Sequence, residues 1–296
     1  MNRLVGVLLV TLFAVVVGLN AIFARISYDA GADPVTFLFM RFLIALPIMF
    51  LIMKKRGLAI PRGKLLLSLI LIGSLSAGTL ICFFVSIQLA PVNLVIIITY
   101  LYPAIVTVLS ALILRQTITG IKTVALVIAT IGILLAIGIE SGGYAVGIVL
   151  AAATAVLHSI YLICGSVLVK RAGTFSAATI FFVTAVVIFG LVTAVQGPQW
   201  PVNRSGWLAI IASALVSTVL GRIVFYEGIQ RIDISNASII CTFEVVVTVA
   251  LSVVVLGESL SLLKMVGAAL VITSVIMLAR SEYVAAHARI NPAVSR

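Results

Sequence analysis

The stretch QLAPVNLVIIITYLYPAIVTVLSALILRQTIT, residues Gln88–Thr119, has a partner later in the chain: QRIDISNASIICTFEVVVTVALSVVVLGESLS, residues Gln230–Ser261. At a constant offset of 142 positions Gln88 meets Gln230, Ser110 meets Ser252 and Lys122 meets Lys264. Few residues are identical. What recurs is the order of features: a polar turn, an apolar run, a polar interruption and a second apolar run. Self-similarity on this scale divides the chain into two halves, residues 1–140 and 144–282, followed by a tail at 283–296.

Outward from that pair, each half resolves into apolar runs long enough to cross a bilayer. A helix needs about 20 apolar residues to span about 30 Å of hydrocarbon. Ten spans are expected on that rule: Leu4–Ala24, Pro34–Met53, Leu65–Ile87, Val92–Leu114, Ile121–Ile139, Tyr144–Leu168, Phe175–Val195, Trp207–Gly228, Ser235–Leu256 and Leu263–Ala279. They must be helices, because in lipid each backbone polar group has to be satisfied within its own segment; barrel strands would alternate in polarity and be half as long. The expected fold class is therefore an all-α polytopic membrane protein of ten transmembrane helices.

Composition agrees. The 296 residues are 63% hydrophobic and only 9% charged, with a mean hydropathy of +1.35. A water-soluble chain is nearer half apolar and about a quarter charged. The net charge of +11 sits in short connectors rather than on a basic stripe, so it reads as an orientation signal and as contact with anionic membrane lipid, not as nucleic-acid binding. Cys82, Cys164 and Cys241 each lie inside an apolar run, which fits neither a disulfide framework nor a metal site. No small-residue cleavage motif follows the first run, so a retained first span is expected. The connectors DAGADP, KKRGLAIPRGK, LAP, ESGG and QGPQWPVNRSG are too short to hold a soluble domain.

Lys and Arg set the orientation. With the N-terminus inside, the inner segments carry Arg3, Lys54, Lys55, Arg56, Arg62, Lys64, Arg115, Lys122, Lys170, Arg171, Arg231, Arg280, Arg289 and Arg296. The outer segments carry only Arg25, Arg204 and Lys264. That bias places both termini in the cytoplasm. Five spans per half is an odd number, so the halves must cross in opposite senses. Inverted repeats characterise alternating-access transporters, whose site lies near mid-depth between the halves.

Three motifs carry a family resemblance. RFLIALP (Arg41–Pro47) resembles the Arg-Phe signature of the EamA domain. YPAIVTVLSALILRQTIT (Tyr102–Thr119) and LGESLS (Leu256–Ser261) resemble the ends of its two repeats. The resemblance covers nearly the whole chain and implies the drug/metabolite transporter superfamily, most similar to its YddG-type amino-acid exporters. It implies a ten-helix basket of two EamA repeats in a bacterial inner membrane, with a central cavity through which a small-molecule substrate leaves the cytoplasm. Two features depart from the pattern: Arg115-Gln116 stands where Gly-Glu is usual, and Glu244 stands in the region where the mid-span proline would recur.

Polar residues within spans are costly and usually face a bundle interior or a wet cavity. Helical spacing groups them into stripes: Thr154, His158, Tyr161 and Gly165 on the sixth span; Ala237, Cys241, Glu244, Thr248 and Ser252 on the ninth; Thr79, Cys82 and Ser86 on the third; Arg222 and Tyr226 on the eighth; Thr99 and Tyr102 on the fourth, beside Pro103. Asn20 stands alone on the first. The candidate substrate-binding set is therefore His158, Tyr161, Glu244, Thr79, Cys82, Tyr102, Asn20, Arg222 and Tyr226. Imidazole and phenol can hydrogen-bond a carboxylate or ammonium, and their rings can pack on a side chain.

Each has a structural alternative. His158 could tie two helices together, or carry a proton. Glu244 could hold a substrate ammonium, carry a proton, or pair with Arg222; Arg222 could instead clamp a carboxylate. Tyr100 and Tyr102 straddle adjacent faces, and Tyr102 is the one expected at the cavity. Arg41 is expected to be structural, and Glu227 and Glu258 to be solvated or capping charges. Gly132, Ala136, Gly267 and Ala268 suit a close helix contact, within a monomer, which is the expected state, or across a dimer.

No catalytic residue, metal or cofactor is expected, and G-x-x-x-x-G-K-[ST] does not occur, so ATP is not the direct driver. The function expected is export of amino acids or related small metabolites by alternating access. A multidrug or lipophilic-cation exporter of the same fold is the nearest alternative. An intramembrane enzyme is a distant one, without G-x-S-x-G or H-E-x-x-H in support.

Overall fold

The structure is a computed structural model and describes residues 2–137, 145–256 and 261–290. Within them lie ten helices long and apolar enough to cross a membrane. In chain order the spans are Asn2–Asp29, Pro34–Lys55, Gly63–Leu89, a fourth in two pieces (Val92–Thr99 and Tyr102–Leu114), Gly120–Ile137, Ala145–Ala172, Thr174–Gln196, an eighth that begins as Arg204–Ala212 and ends as Gly221–Ile229, a ninth in two pieces (Ile234–Cys241 and Phe243–Leu256), and Leu262–Ile290. The ESGG connector and Glu258 lie outside the described residues. The tenth helix runs eleven residues past the expected Ala279, to Ile290.

Local signals set several ends. Asp33 caps the second span, accepting from the backbone N–H of Val35 at 2.9 Å and of Thr36 at 3.0 Å, with Pro34 opening the helix and Lys54 and Lys55 closing it. Asn203 caps the eighth through the N–H of Gly206 at 2.9 Å. The sixth and seventh spans are joined by Gly173 alone, at φ +80°. A side chain there would be strained in so tight a reversal.

The packing repeats as the sequence does. The third span lies on the sixth as the eighth lies on the first; the fourth lies on the sixth as the ninth lies on the first; the third touches the seventh as the eighth touches the second. The pairs second–seventh, fourth–ninth and fifth–tenth map onto themselves. Exchange of the halves therefore preserves these main contacts, while the contact of the first span with the tenth has no comparable fifth–sixth counterpart. Even single contacts follow. A Cβ on Gly147 would fall 2.9 Å from Leu89 Cβ and 3.0 Å from Ala90 Cβ, and one on Gly6 would fall 2.9 Å from Arg231 Cβ and 2.8 Å from Ile232 Cγ2. Leu89 and Ala90 stand at the repeat offset from Arg231 and Ile232.

The two halves are inverted. At one end of the bundle the second-to-third connector meets the start of the seventh span, where Ser176 Oγ donates to Ala59 O at 3.3 Å and Arg56 lies 4.4 Å from the Phe175 ring centroid. At the other end the seventh-to-eighth connector meets the first-to-second: Val202 N–H donates to Ala30 O at 2.8 Å and Gln199 N–H to Asp33 at 3.1 Å. Equivalent connectors of the two halves thus lie at opposite ends. Trp200 and Trp207 stack at 6.1 Å at the second end, and indoles near span ends favour the lipid headgroup boundary.

Large apolar side chains such as Leu8, Leu112, Val149 and Leu191 face outward, while Ala, Ser, Thr and Phe fill the interior. Phe42 of the second span stacks on Phe189 of the seventh at 6.0 Å and meets Phe182 at 5.6 Å. The fifth and tenth spans meet through Gly132 and Gly267, where an added Cβ would lie 2.7 Å and 2.5 Å from the other's carbonyl oxygen. The small-residue seam is thus used within the chain.

Candidate functional site

Two spans are broken, at equivalent places. The fourth breaks at Tyr100 and Leu101, the ninth at Thr242, and Tyr100 and Thr242 are separated by the repeat offset of 142. In the fourth, Pro103 lacks the N–H an unbroken helix needs, and its ring displaces the carbonyl of Thr99. The ninth has no proline. There Thr242 donates both its N–H (3.1 Å) and its Oγ1 (2.7 Å) to the carbonyl of Ile239, tightening the last turn of the first piece. Glu244 then falls in the first turn of the second piece, where exposed N–H groups favour a carboxylate. The eighth span carries a third irregularity, the π-helical stretch Ser213–Leu220, directly before Arg222.

These irregularities position a row of rings with opposite charges at its ends. Glu244 accepts a short hydrogen bond from the hydroxyl of Tyr100. Tyr100 lies 6.0 Å from Tyr102, Tyr102 meets His158 edge-on at 4.9 Å, and His158 lies 5.8 Å from Tyr161. At the far end Arg222 Nη1 donates to the Tyr161 hydroxyl at 2.5 Å, and the Tyr161 hydroxyl pairs with that of Tyr226 at 3.0 Å. The Arg222 guanidinium sits 5.4 Å from the Tyr226 ring centroid. Phe181 braces both tyrosines edge-on at 5.9 and 6.0 Å. Tyr102 is anchored by its hydroxyl on Ser238 O at 3.3 Å, and its carbonyl accepts from Ser159 Oγ at 3.2 Å. Tyr102, Tyr161 and Tyr226 are buried, whereas Tyr100, His158, Arg222 and Glu244 are half-buried. The row therefore draws on the fourth, sixth, eighth and ninth spans, two of them broken.

Six of the nine candidates, His158, Tyr161, Glu244, Tyr102, Arg222 and Tyr226, share this row. Three do not. Thr79 is buried and returns its hydroxyl to Leu75 O at 2.9 Å. Cys82 is a free, half-buried thiol on the same span. Ser86, at the end of that stripe, donates to Gly147 O at 2.7 Å, so the stripe's end serves helix packing. Asn20 is not alone as its sequence position suggests: its Oδ1 accepts from Arg41 Nη1 at 3.1 Å and from Ser213 Oγ at 2.6 Å, joining the first, second and eighth spans.

One of the alternatives for Glu244 is corrected. Arg222 and Glu244 form no ion pair among the described residues; each is satisfied by a phenol, Tyr161 for one and Tyr100 for the other. Tyr100 stands in the row beside Tyr102 and touches the carboxylate. Its signal was its place two residues before Tyr102 at the proline break, but nothing in the sequence joins it to a residue 144 positions away.

The Lys/Arg-rich end is tied by polar links. Glu227 accepts from Thr174 Oγ1 at 2.7 Å and from Arg231 at 2.8 Å; it thus joins the seventh and eighth spans rather than standing solvated. Buried Lys122 meets Asp233 at 3.3 Å. Buried Glu282 accepts from Arg3 at 2.7 Å and from Asn236. A depression of about 470 Å³ lined by Arg56, Leu58 and residues 172–176 opens at this end. It carries none of the candidate residues.

Ten spans in two inverted halves, with broken helices meeting at a polar row, define a membrane transporter of the drug/metabolite type. The EamA-like transporter family matches residues 4–138 and 145–280, one repeat in each half, and the chain belongs to that family. Twenty-nine solved chains match it in fold. One crystal structure superposes at a TM-score of 0.79 with 22% identity, over 95% of this chain and 98% of the other. No curated protein matches.

Proposed function

We propose that the chain exports small zwitterionic metabolites, neutral and aromatic amino acids foremost, from the cytoplasm across a bacterial inner membrane by alternating access. The observation that carries this reading is the pair of opposite charges at the ends of one aromatic row. Arg222 offers a planar guanidinium to a carboxylate. Glu244 offers a counter-charge to an ammonium, and the faces of Tyr102, His158 and Tyr161 offer contact area to an apolar or aromatic side chain. The breaks at Tyr100 and Thr242 give each half a joint at mid-span, as rocking of one half on the other requires.

The test is uptake by proteoliposomes of labelled phenylalanine, methionine and threonine, with a lipophilic cation in parallel. Saturable amino-acid flux that falls in both Arg222→Gln and Glu244→Gln supports the proposal; its absence in wild type defeats it. A second reading, export of lipophilic cations, is favoured by one observation: Glu244 has no basic partner among the described residues and stands beside aromatic walls. Cation flux that needs Glu244 but not Arg222 would select that reading.

A further inference from the structure

A second guanidinium lies within the spans, and the ring row does not use it. Arg41 sits on the second span, half-buried. Its Nη1 donates to Asn20 Oδ1 at 3.1 Å, and that oxygen also accepts from the Ser213 hydroxyl at 2.6 Å. The Arg41 guanidinium carbon lies 4.8 Å from the Phe42 ring centroid and 5.8 Å from that of Phe37. The buried Nε of Arg41 has no hydrogen-bond partner. Among the described residues no carboxylate pairs with Arg41 or with Arg222. Two like charges in a membrane interior, each held only by neutral groups, form an arrangement that a mobile anion would complete.

The depths differ. Asn20, Arg41 and Ser213 each stand seven to nine residues from the end of their span that bears Asp29, Pro34 and Arg204. Arg222 follows Ser213 by nine residues, past the π-helical stretch Ser213–Leu220, and so lies further from that end of the span. We infer that Arg41, with Asn20 and Ser213, forms a second anion subsite between the row and the face bearing Trp200 and Trp207, and that it takes a small monoanion. That anion is either the substrate's carboxylate after it leaves Arg222, which rests on the function proposed above, or a free halide. Asn20 and Ser213 orient the site, Phe37 and Phe42 fix the guanidinium plane, and the unused Nε supplies a donor.

The test uses the full chain, in detergent for thermal unfolding and in liposomes for flux. Chloride is exchanged for gluconate at constant ionic strength, and phenylalanine is compared with phenylalaninol, which lacks the carboxylate. If the ligand is a halide, chloride raises the unfolding temperature of wild type and of Arg222→Gln but not of Arg41→Gln. If it is the substrate's carboxylate, Arg41→Gln lowers phenylalanine flux about tenfold or more without changing phenylalaninol flux, and chloride has no effect. Asn20→Asp, which places a carboxylate beside Arg41, is the second variant: it keeps the chain folded and abolishes whichever response wild type shows. Wild-type chloride response and wild-type phenylalanine flux in a folded Arg41→Gln or Asn20→Asp protein would overturn the subsite. Should wild type carry no phenylalanine, the function reading fails and the chloride arm alone decides: a response lost in Arg41→Gln upholds the subsite, and no response overturns it.

Discussion

The hydroxyl of Tyr100, at the break of the fourth span, donates to the carboxylate of Glu244, in the first turn after the break of the ninth. One hydrogen bond thus couples the joint of the first half to the joint of the second. Tyr100→Phe removes the donor and keeps the ring. A buried hydrogen bond between membrane helices contributes about 0.6–2 kcal/mol, or roughly threefold to thirtyfold in an equilibrium. The expected outcome is a fall of that size in transport, with the unfolding temperature in detergent shifted by only a few degrees. Unchanged flux would mean that the two joints move independently.

At the other end of the row Tyr161 is the shared partner of Arg222 and Tyr226. Tyr161→Phe leaves a guanidinium without its nearest acceptor, so substrate affinity is expected to fall about tenfold or more. Arg222→Lys keeps the charge but loses the planar fork, and is expected to weaken carboxylate-bearing substrates more than their amides. Equilibrium binding of phenylalanine and phenylalaninamide to the purified variants measures both.

Pro103→Ala restores an N–H to the fourth span and removes the ring that displaces the carbonyl of Thr99. The two pieces of the span can then join. The expected result is equal or higher thermal stability with slower transport, read as a lower maximal flux at an unchanged half-saturating concentration.

The seam between the fifth and tenth spans has no room to yield. A Cβ at Gly267 would lie 2.5 Å from both Gly132 O and Ala136 N, which are backbone atoms. Gly267→Ala is therefore expected to destabilise by about 1–3 kcal/mol, the usual consequence of overpacking, seen as a lower unfolding temperature. Gly78→Ala is the control, since a Cβ there meets nothing within 4 Å.

The number and kind of the spans were legible because a bilayer imposes a length and an apolar run on every crossing, and the repeat was legible because Gln88 and Gln230 hold one register. The break at Pro103 was legible from proline chemistry. The break at Thr242 was not: threonine makes its carbonyl contact only when the surrounding packing holds it there. Spacing on the sixth and eighth spans correctly put His158 beside Tyr161 and Tyr226 near Arg222 on single faces. It could not say which faces meet, so the tie between Asn20 and Arg41, 21 positions apart, and that between Tyr100 and Glu244 stayed hidden. Thr79 and Cys82 share the polarity of cavity residues, yet a threonine that bonds its own helix looks identical in sequence to one that faces a substrate.

The central claim is that the two halves cross the membrane in opposite senses. The most direct measurement is sidedness of labelling in a protein with Cys82, Cys164 and Cys241 replaced by alanine. Single cysteines go at Leu58, in the connector after the second span, and at Val202, in the equivalent connector after the seventh; both side chains are exposed. A membrane-impermeant maleimide is expected to reach Val202→Cys from one side of the membrane and Leu58→Cys only from the other. Labelling of both from the same side would contradict the inversion, and with it the meeting of the two halves at a shared row.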